Sequence, residues 1–163
     1  DDVCYENNDH PNSTAFKQLK SSHVVKADAL ITKDSNIILA VKTADCLPIL
    51  VVSDPYIAVI HAGRVGTLLN ISYDVARYLR FLGGLSPLIW LGPHSCVCCY
   101  EIDQETGTHF NMLEENYNQL LDGFGDIAQF ESTPFCTQCD NDYFYSYRSG
   151  DLTERNVFYL KKK

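Results

Sequence analysis

The chain has 163 residues, of which 45% are hydrophobic and 21% charged, enough for one domain with its own core. Its formal net charge of −8 argues against nucleic acid or an anionic membrane as a partner, because both attract basic proteins. No apolar run reaches the roughly 18 to 20 residues that a membrane-spanning helix needs. The odd count of seven cysteines and the CVCC cluster argue against a disulfide framework, so we expect a reducing, cytoplasmic location.

Strands and helices alternate along the chain. A short helix is expected at 13–19, within a polar and irregular N-terminal region. Short apolar runs rich in β-branched or aromatic residues predict strands at 36–43, 48–54, 56–63, 87–92, 98–102, 127–131, 143–148 and 156–161. Apolar residues at helical spacing predict helices over 67–82, with Thr67 as N-cap and Gly83 and Gly84 as the stop, and over 111–121. This order predicts an α/β fold with a mixed sheet.

Cys46 and His61 each lie where a predicted buried strand breaks, in TADCLPIL and VIHAGRVGT. Because consecutive strands usually pair, we expect the two side chains to be neighbours. The imidazole can activate the thiol as a nucleophile, or the pair can bind zinc or copper together with a third ligand. A cysteine buried merely as a small apolar residue is the third alternative, and the spacing does not separate the three.

Two other segments have residues suited to binding. The turn from Gly63 to Gly66 precedes a predicted helix and can hold a phosphate, with Arg64 adding positive charge. The aromatic segment YFYSYRSGD at 143–151 is either an ordinary strand or the lining of a pocket for a flat ring, with Arg148 binding an anion.

The remaining cysteines offer a second metal motif. CTQC at 136–139 has the spacing of a zinc half-site or a redox pair. The other half of a zinc site would come from Cys96, Cys98 and Cys99 with His94. We favour packing for most of these thiols, because Cys136 follows an apolar residue and CVCC lies where a predicted strand begins.

Five segments, ADALIT, TADCLPIL, AVIHAG, CCYEI and YFYSYR, occur in the order found in the multicopper polyphenol oxidase (laccase-like, YfiH-type) family. The chain resembles that family from about residue 26 to residue 160. The resemblance implies a four-layer α/β/β/α arrangement with mixed β-sheets, distantly similar to Cys–His deamidating toxins. It also implies a metal-dependent purine nucleoside phosphorylase that acts on adenosine, inosine and methylthioadenosine, with adenosine deaminase activity.

Family members hold zinc, or copper in some assignments, through a histidine of QVHG, the cysteine of ADCLP and the histidine of HAGWRG. The resemblance therefore assigns Cys46 and His61 as catalytic metal ligands. Lys20 stands at the position of the first histidine, and a protonated lysine is no metal ligand. His23, three residues later, is the predicted substitute, and Asp45 is predicted as a catalytic group that orients a ligand.

Substrate contacts are predicted from local chemistry. Arg148 and Tyr147 are expected to contact the substrate, and Arg64 is expected to add charge for phosphate. The attacking species would be water activated by the metal, or phosphate held near the Gly63–Gly66 turn.

The chain departs from the family pattern at several points. HAGRVG replaces HAGWRG, GPHSCVCCYEI differs from GPxIGPCCYEV, and Ser149 stands at the family's second arginine. Either this is a degenerate member with weakened metal binding, or segments are missing, which we favour. We expect residues 1–163 to form a single domain that is incomplete at its N-terminus and at internal junctions. The alternatives to a phosphorylase are a metal-free Cys–His amidohydrolase, a copper polyphenol oxidase and a non-catalytic member.

Overall fold

The computed structural model describes residues 27–163 and, for the backbone alone, the strands at 3–7 and 14–18. The strands are β1 Val3–Asn7, β2 Thr14–Gln18, β3 Ala29–Thr32, β4 Ile38–Thr43, β5 Leu47–Asp54, β6 Tyr56–Ala62, β7 Leu85–Leu91, β8 Glu101–Asp103, β9 Thr108–His109, β10 Gln129–Ser132 and β11 Asn156–Lys161. The helices are α1 Arg64–Leu68, α2 Ile71–Phe81 and α3 Met112–Phe124, and a 3₁₀ turn spans Tyr147–Ser149. None of the helices in this part of the chain is long and apolar enough to cross a membrane.

Seven strands form one mixed sheet in the order β10–β7–β5–β6–β3–β1–β2. β10 runs parallel to β7, and the other neighbours in this sheet are antiparallel. β11 pairs with β4 in a second, antiparallel sheet, and β8 pairs with β9. The predicted α/β class with mixed sheets is confirmed.

The large sheet carries an apolar core on each face. On one face it packs against the helices, and the largest buried side chains there are Ile31, Leu47, Ile49, Ile60, Ile71, Leu79, Leu91, Met112 and Leu120. On the other face it packs against the second sheet through Leu39, Val41, Ile57 and Val59. Residues 27–163 therefore show three of the four expected layers in the order α, β, β.

β6 is apolar over most of its length because both its faces are buried. Ala58 and Ile60 belong to the core beneath the helices, whereas Ile57 and Val59 belong to the core between the sheets. Successive side chains of a strand point to opposite faces, so His61 leaves β6 on the side of the second sheet. The end of β6 thus aims His61 at the boundary between the two sheets.

A buried amide connects α3 to the chain that follows β6. Asn116 is fully buried, accepts a hydrogen bond from the Ser72 hydroxyl (2.6 Å) and donates one to the Thr67 hydroxyl (2.9 Å). The same Thr67 donates from its hydroxyl and its backbone nitrogen to the Gly63 carbonyl, both at 2.8 Å. Buried polar groups that are fully bonded hold one arrangement, so this network fixes the turn next to His61.

The predicted helix over 67–82 is wrong in one respect, because two helices occupy this region. α1 begins at Arg64 with Gly63 as its N-cap, and α2 begins after Asn70. Asn70 has a φ of 61°, a left-handed conformation that asparagine tolerates better than most residues and that interrupts a helix. Thr67 is consequently an interior residue of α1 and not a cap.

The aromatic segment 143–148 is not a strand. Its backbone nitrogens do not pair with a neighbouring strand. Tyr143 N and Phe144 N donate to the Asp140 carbonyl, whereas Ser146 N donates to Asp151 Oδ2 and Arg148 N donates to Asp45 Oδ2, the last two at 2.8 Å. Two smaller differences are that 14–18 is a strand where a short helix was expected, and that residues 97–99 form a turn ahead of β8.

Candidate active site

The β5–β6 hairpin brings the two candidate catalytic residues together. Its register pairs Pro48 with His61 and Leu47 with Ala62, so Cys46, directly before β5, lies beside the end of β6. The two side chains are close enough for the Cys46 thiol to raise the pKa of His61 through a hydrogen bond. Consecutive strands therefore place the thiol and the imidazole side by side, as predicted.

Gly63 leaves the space into which both side chains project. A methyl group on Gly63 would lie 3.1 Å from Cys46 Sγ and 3.8 Å from His61 Nε2. Its backbone is extended, with φ −81° and ψ 170°, so the glycine is required by the available space and not by an unusual conformation. The sulfur and the nitrogen thus converge on one small volume.

Asp28 fixes the orientation of the histidine ring. His61 Nδ1 donates to Asp28 Oδ1 at 3.0 Å, and the backbone nitrogen of His61 donates to the Asp28 carbonyl at 2.7 Å. The hydrogen bond with Asp28 is the largest contribution that raises the pKa of His61, followed by the bond with Cys46, while burial opposes both. The result is a pKa of about 10, so the metal-free ring is protonated at neutral pH.

The donor set fits part of a zinc or copper site. Thiolate sulfur and imidazole nitrogen are ligands that both metals accept. A carboxylate on the far ring nitrogen is the usual second partner of a metal-binding histidine, and Asp28 occupies that position on His61. Cys46 and His61 can therefore supply two ligands. The predicted third ligand, His23, and Lys20, which stands at the position of the family's first histidine, lie outside the described residues.

Asp45 is buried and fully engaged by its neighbours. Its Oδ1 accepts from the Thr137 hydroxyl and its Oδ2 from the backbone nitrogen of Arg148, both at 2.8 Å, and its carbonyl accepts from Ser95 N at 2.9 Å. These contacts hold a left-handed backbone, with φ 82°, directly before Cys46. They make Asp45 a residue that positions Cys46, and its catalytic role stays a prediction.

Cys46 and His61 open into a cleft of about 730 Å³, a size typical of small-molecule sites. Its lining consists of Lys42, Thr43, Ala44, Asp45, Cys46, His61, Tyr100, Tyr147, Arg148 and Arg155. The guanidinium of Arg148 stacks over the Tyr100 ring, 4.1 Å from its centre. The Thr43 hydroxyl is buried and has no hydrogen-bond partner among the residues that the structure describes.

The substrate residues predicted from the sequence divide into two groups. Tyr147 and Arg148 line the cleft beside Cys46. Arg64 is exposed at the first residue of α1 and is not part of the lining. Binding of phosphate at the Gly63–Gly66 turn stays a prediction, as do the roles of all three side chains.

Several residues of the site carried no predicted role. Asp28 lies in the quoted segment ADALIT, but it reaches His61 only because β3 pairs with β6, which is not its neighbour in sequence. Lys42, Thr43 and Tyr100 enter the lining from β4 and from the loop before β8. The polar end of β4, directly before the Cys46 turn, is the signal in the sequence for the first two.

A second group of cysteines lies outside the cleft lining. The thiol cluster comprises Cys96, Cys99, Cys136 and Cys139, whose sulfur atoms all lie within 4.8 Å of one another. Burial raises the pKa of Cys136. Hydrogen bonds from the backbone N–H groups of Cys96 and Cys139 outweigh this effect and contribute to a net pKa of about 7, below the ordinary value of 9.0. Cys98 and His94 are not part of the cluster, and the His94 ring bonds the Gly92 carbonyl. Packing alone, the sequence-based interpretation, does not account for four converging sulfurs.

Comparisons with known proteins agree with this architecture. A family model described as multi-copper polyphenol oxidoreductase laccase matches residues 2–123. A purine nucleoside phosphorylase of Clostridium acetobutylicum is 28% identical over 165 residues, which cover 86% of this chain and 69% of the relative. The adenosine deaminase RL5, from an unknown prokaryotic organism, is 34% identical over 98 residues, 58% of this chain and 37% of the relative.

A solved structure shares the fold. The crystal structure of YlmD from Geobacillus stearothermophilus superposes with a TM-score of 0.74 at 22% identity, covering 83% of this chain and 61% of that chain. The present chain thus spans between 37% and 69% of the length of these three proteins.

Proposed function

We propose that this chain, which belongs to the multi-copper polyphenol oxidoreductase laccase family, is a purine nucleoside phosphorylase with its active site at the Cys46–His61 cleft. In this reaction phosphate oxygen bonds to C1′ of the ribose, the N-glycosidic bond breaks, and the free base and ribose 1-phosphate are released. The observation that carries the proposal is a thiol–imidazole pair that opens into a cleft lined by cations and tyrosines. The name of the Clostridium relative supports the reaction class.

The cationic side chains suit the phosphate. Lys42, Arg148 and Arg155 line the cleft in a protein whose net charge is −8, so positive charge is concentrated where an anion would enter. Arg148 keeps its guanidinium over Tyr100, which leaves the edge of its planar fork for a phosphate oxygen.

The tyrosines suit the purine and ribose. Tyr100 is buried and Tyr147 is about half exposed, and both line the cleft. Aromatic faces bind flat heterocycles by stacking, and a phenolic hydroxyl can bond a ring nitrogen or a sugar hydroxyl. Adenosine, inosine and methylthioadenosine are the proposed substrates because each has a flat purine ring that can stack and sugar hydroxyl groups that can form hydrogen bonds.

Zinc is the proposed metal, with copper as the alternative, held by Cys46, His61 and His23. A metal ion there would supply Lewis acidity toward an oxygen nucleophile. The residues of the chain prepare the site: Asp28 retains the proton on His61 Nδ1 and so directs Nε2 towards Cys46. Nε2 must give up its proton before it can act as a ligand or as a base.

Hydrolytic deamination of adenosine is the second proposed activity. It exchanges the 6-amino group for the oxygen of water, releasing ammonia and inosine, and it uses the same nucleoside-binding surface. The name of the RL5 relative favours this activity. A cytoplasmic location is also proposed, because the six cysteines of residues 27–163 are all free thiols.

A substrate panel tests the proposal. The purified chain is stripped with a chelator, reloaded with zinc or copper, and incubated with each nucleoside with and without phosphate, and the products are separated by chromatography. We expect release of the free base that depends on phosphate and on metal. We also expect its loss in Cys46→Ala and its retention in Cys98→Ala, which removes an exposed thiol outside the cleft lining.

The same panel separates the rivals. Full activity of the stripped protein on amide substrates would favour the metal-free amidohydrolase with Cys46 as nucleophile. Oxidation of phenols by the copper-loaded protein would favour the oxidase. A metal-loaded chain that turns over no substrate would be a non-catalytic family member.

A further inference from the structure

Two loops carry the thiol cluster, and each contributes one Cys-x-x-Cys unit. Cys96 and Cys99 lie in the loop after β7, and Cys136 and Cys139 lie in the loop after β10. The loops are joined by a bridge between His94 and Cys136, and Thr137 N donates to the His94 carbonyl at 3.1 Å. Two such units facing each other are the arrangement of ligands found in structural zinc sites with four cysteines.

The distances between the sulfurs match a tetrahedral metal site. All four sulfurs lie within 4.8 Å of one another, and Cys99 Sγ lies 3.4 Å from Cys139 Sγ. Zinc–sulfur bonds of about 2.3 Å place the corners of a tetrahedron about 3.8 Å apart. A disulfide would need sulfurs about 2.05 Å apart, so Cys99 and Cys139 are not joined by a disulfide.

Backbone N–H groups point at one of these sulfurs. Cys96 N and Cys139 N lie 3.3 and 3.4 Å from Cys136 Sγ, and both donate to it. The loop that presents this sulfur is itself closed by Asp140, whose Oδ2 accepts from Cys136 N at 2.9 Å. N–H donors around a sulfur stabilise the thiolate, which is the form that binds metal.

Burial as small apolar groups does not explain the cluster. Cys139 is exposed and Cys96 and Cys99 are only partly buried, so these three gain little from removal of apolar surface. Cys98 lies in the same loop and is equally available, yet it is exposed and stays outside the cluster. The selection of four thiols among the five in these two loops follows the Cys-x-x-Cys spacing.

We propose that Cys96, Cys99, Cys136 and Cys139 bind one Zn²⁺ ion in a closed structural site, distinct from the metal of the Cys46–His61 cleft. Four thiolates fill the tetrahedron and leave no open position for a water molecule or a substrate, so the ion has a structural role.

The site stabilises the cleft through Asp45. Ser95, next to Cys96, donates from its backbone to the Asp45 carbonyl, and Thr137, next to Cys136, donates from its hydroxyl to the Asp45 carboxylate. Both loops thus connect directly to the residue that precedes Cys46. Zinc would fix the loops relative to each other and hold this residue in place.

Cobalt titration tests the proposal. The cleft ligands are first removed by Cys46→Ala together with His61→Ala, so that one class of site remains. The metal-free protein is titrated with Co²⁺ under reducing, oxygen-free conditions. We expect one Co²⁺ per chain, with strong thiolate-to-metal charge-transfer absorption and the visible bands of tetrahedral cobalt, displaced by one equivalent of Zn²⁺.

Variants in the same background identify the ligands. Cys139→Ser and Cys96→Ser should lose the cobalt bands, whereas Cys98→Ser, from the same loop as Cys96, should retain them. Cobalt bands that are unchanged in Cys139→Ser, or no bound metal in the parent protein, would overturn the proposal. A Cys99–Cys139 disulfide, found by mass spectrometry in protein isolated without air, would overturn it in favour of a redox pair.

A count of metal in the Cys46→Ala, His61→Ala protein, with all four cluster cysteines intact, is independent of how the cluster variants fold. This protein, purified without added metal, should release one zinc ion per chain when a mercurial reagent blocks its thiols, and the remaining protein should unfold at a lower temperature. Absence of zinc from this fully reduced, folded chain would also overturn the proposal.

Discussion

Replacing Asp28 with asparagine tests how the metal-free site controls its histidine. The change keeps the size of the side chain but removes the negative charge 3.0 Å from His61 Nδ1. The bond with Asp28 is the largest contribution to the raised pKa of His61, and burial lowers this pKa. We therefore expect the pKa to fall from about 10 toward the ordinary value of 6.5.

The shift determines how many protons a metal must displace. At pH 8 a group with a pKa of about 10 is about 99% protonated, whereas a group with a pKa of 6.5 is about 3% protonated. Metal binding at His61 should thus release more protons from the parent protein than from Asp28→Asn, with about one proton as the upper bound because Cys46 still raises the pKa in the variant. Calorimetry in two buffers of different ionisation enthalpy counts these protons.

Nuclear magnetic resonance of the histidine ring measures the pKa directly. Asp126→Asn, an exposed change in the loop between α3 and β10 and outside the cleft lining, is the control and should leave the His61 titration as it is. The contact between Asp28 and His61 also makes folding stability depend on pH. Because the pKa of His61 is raised in the folded state, this contact stabilises the metal-free protein fully below pH 6.5. This stabilisation is lost as the pH rises through about 10. A His61 pKa that is unchanged in Asp28→Asn would refute the reasoning.

Three further changes follow from the packing of the site and the helices. Gly63→Ala places a methyl group 3.1 Å from Cys46 Sγ, so the sulfur must shift and we expect weaker metal retention; retention equal to that of the parent would contradict this. Gly123→Ala places a methyl group 2.6 Å from the Ala76 side chain. The cost of overpacking, about 1 to 3 kcal/mol, should exceed the gain in helix propensity, about 1 kcal/mol. Urea unfolding should therefore show a lower free energy of unfolding, and a higher one would contradict this. Arg148→Ala should reduce kcat/KM for phosphate about tenfold or more, because a charge-assisted contact contributes roughly 1.5 to 3 kcal/mol, and an unchanged phosphorolysis rate would remove the proposed role of this side chain.

The sequence was informative where the structure is local. The runs 48–54 and 56–63 are joined at the Asp54-Pro55 turn, so their pairing follows from proximity in the chain and brings Cys46 to His61. The partner of His61 was not predictable in this way. Asp28 reaches it through β3, which is separated from β6 by two intervening strands in sequence.

The aromatic segment shows why an apparent strand can fail. YFYSYR has the composition of a strand, but a strand needs a neighbour for its backbone groups. Here the carboxylates of Asp45 and Asp151 accept the backbone N–H groups of Arg148 and Ser146, and the chain turns to place Tyr147 and Arg148 in the cleft. The contact between Asp45 and Arg148 joins residues 103 positions apart and leaves no periodic signal in the sequence.

The thiol cluster was only partly predictable from the sequence. CTQC was recognisable from its spacing. The second Cys-x-x-Cys unit, Cys96 and Cys99, was ambiguous because CVCC contains a third cysteine, Cys98, between them. Only the parallel approach of the loops after β7 and β10 shows which thiols face each other.

Phosphorus NMR of a single reaction mixture tests the central claim most directly. The metal-loaded chain is incubated with inosine and inorganic phosphate. Ribose 1-phosphate is quantified from the phosphorus spectrum, and hypoxanthine, which contains no phosphorus, by chromatography of the same mixture. The proposed phosphorolysis at the Cys46–His61 cleft predicts equal amounts of both products from the parent protein and from Cys98→Ala, and neither from Cys46→Ala. Free base without sugar phosphate, or undiminished sugar phosphate from Cys46→Ala, would contradict it.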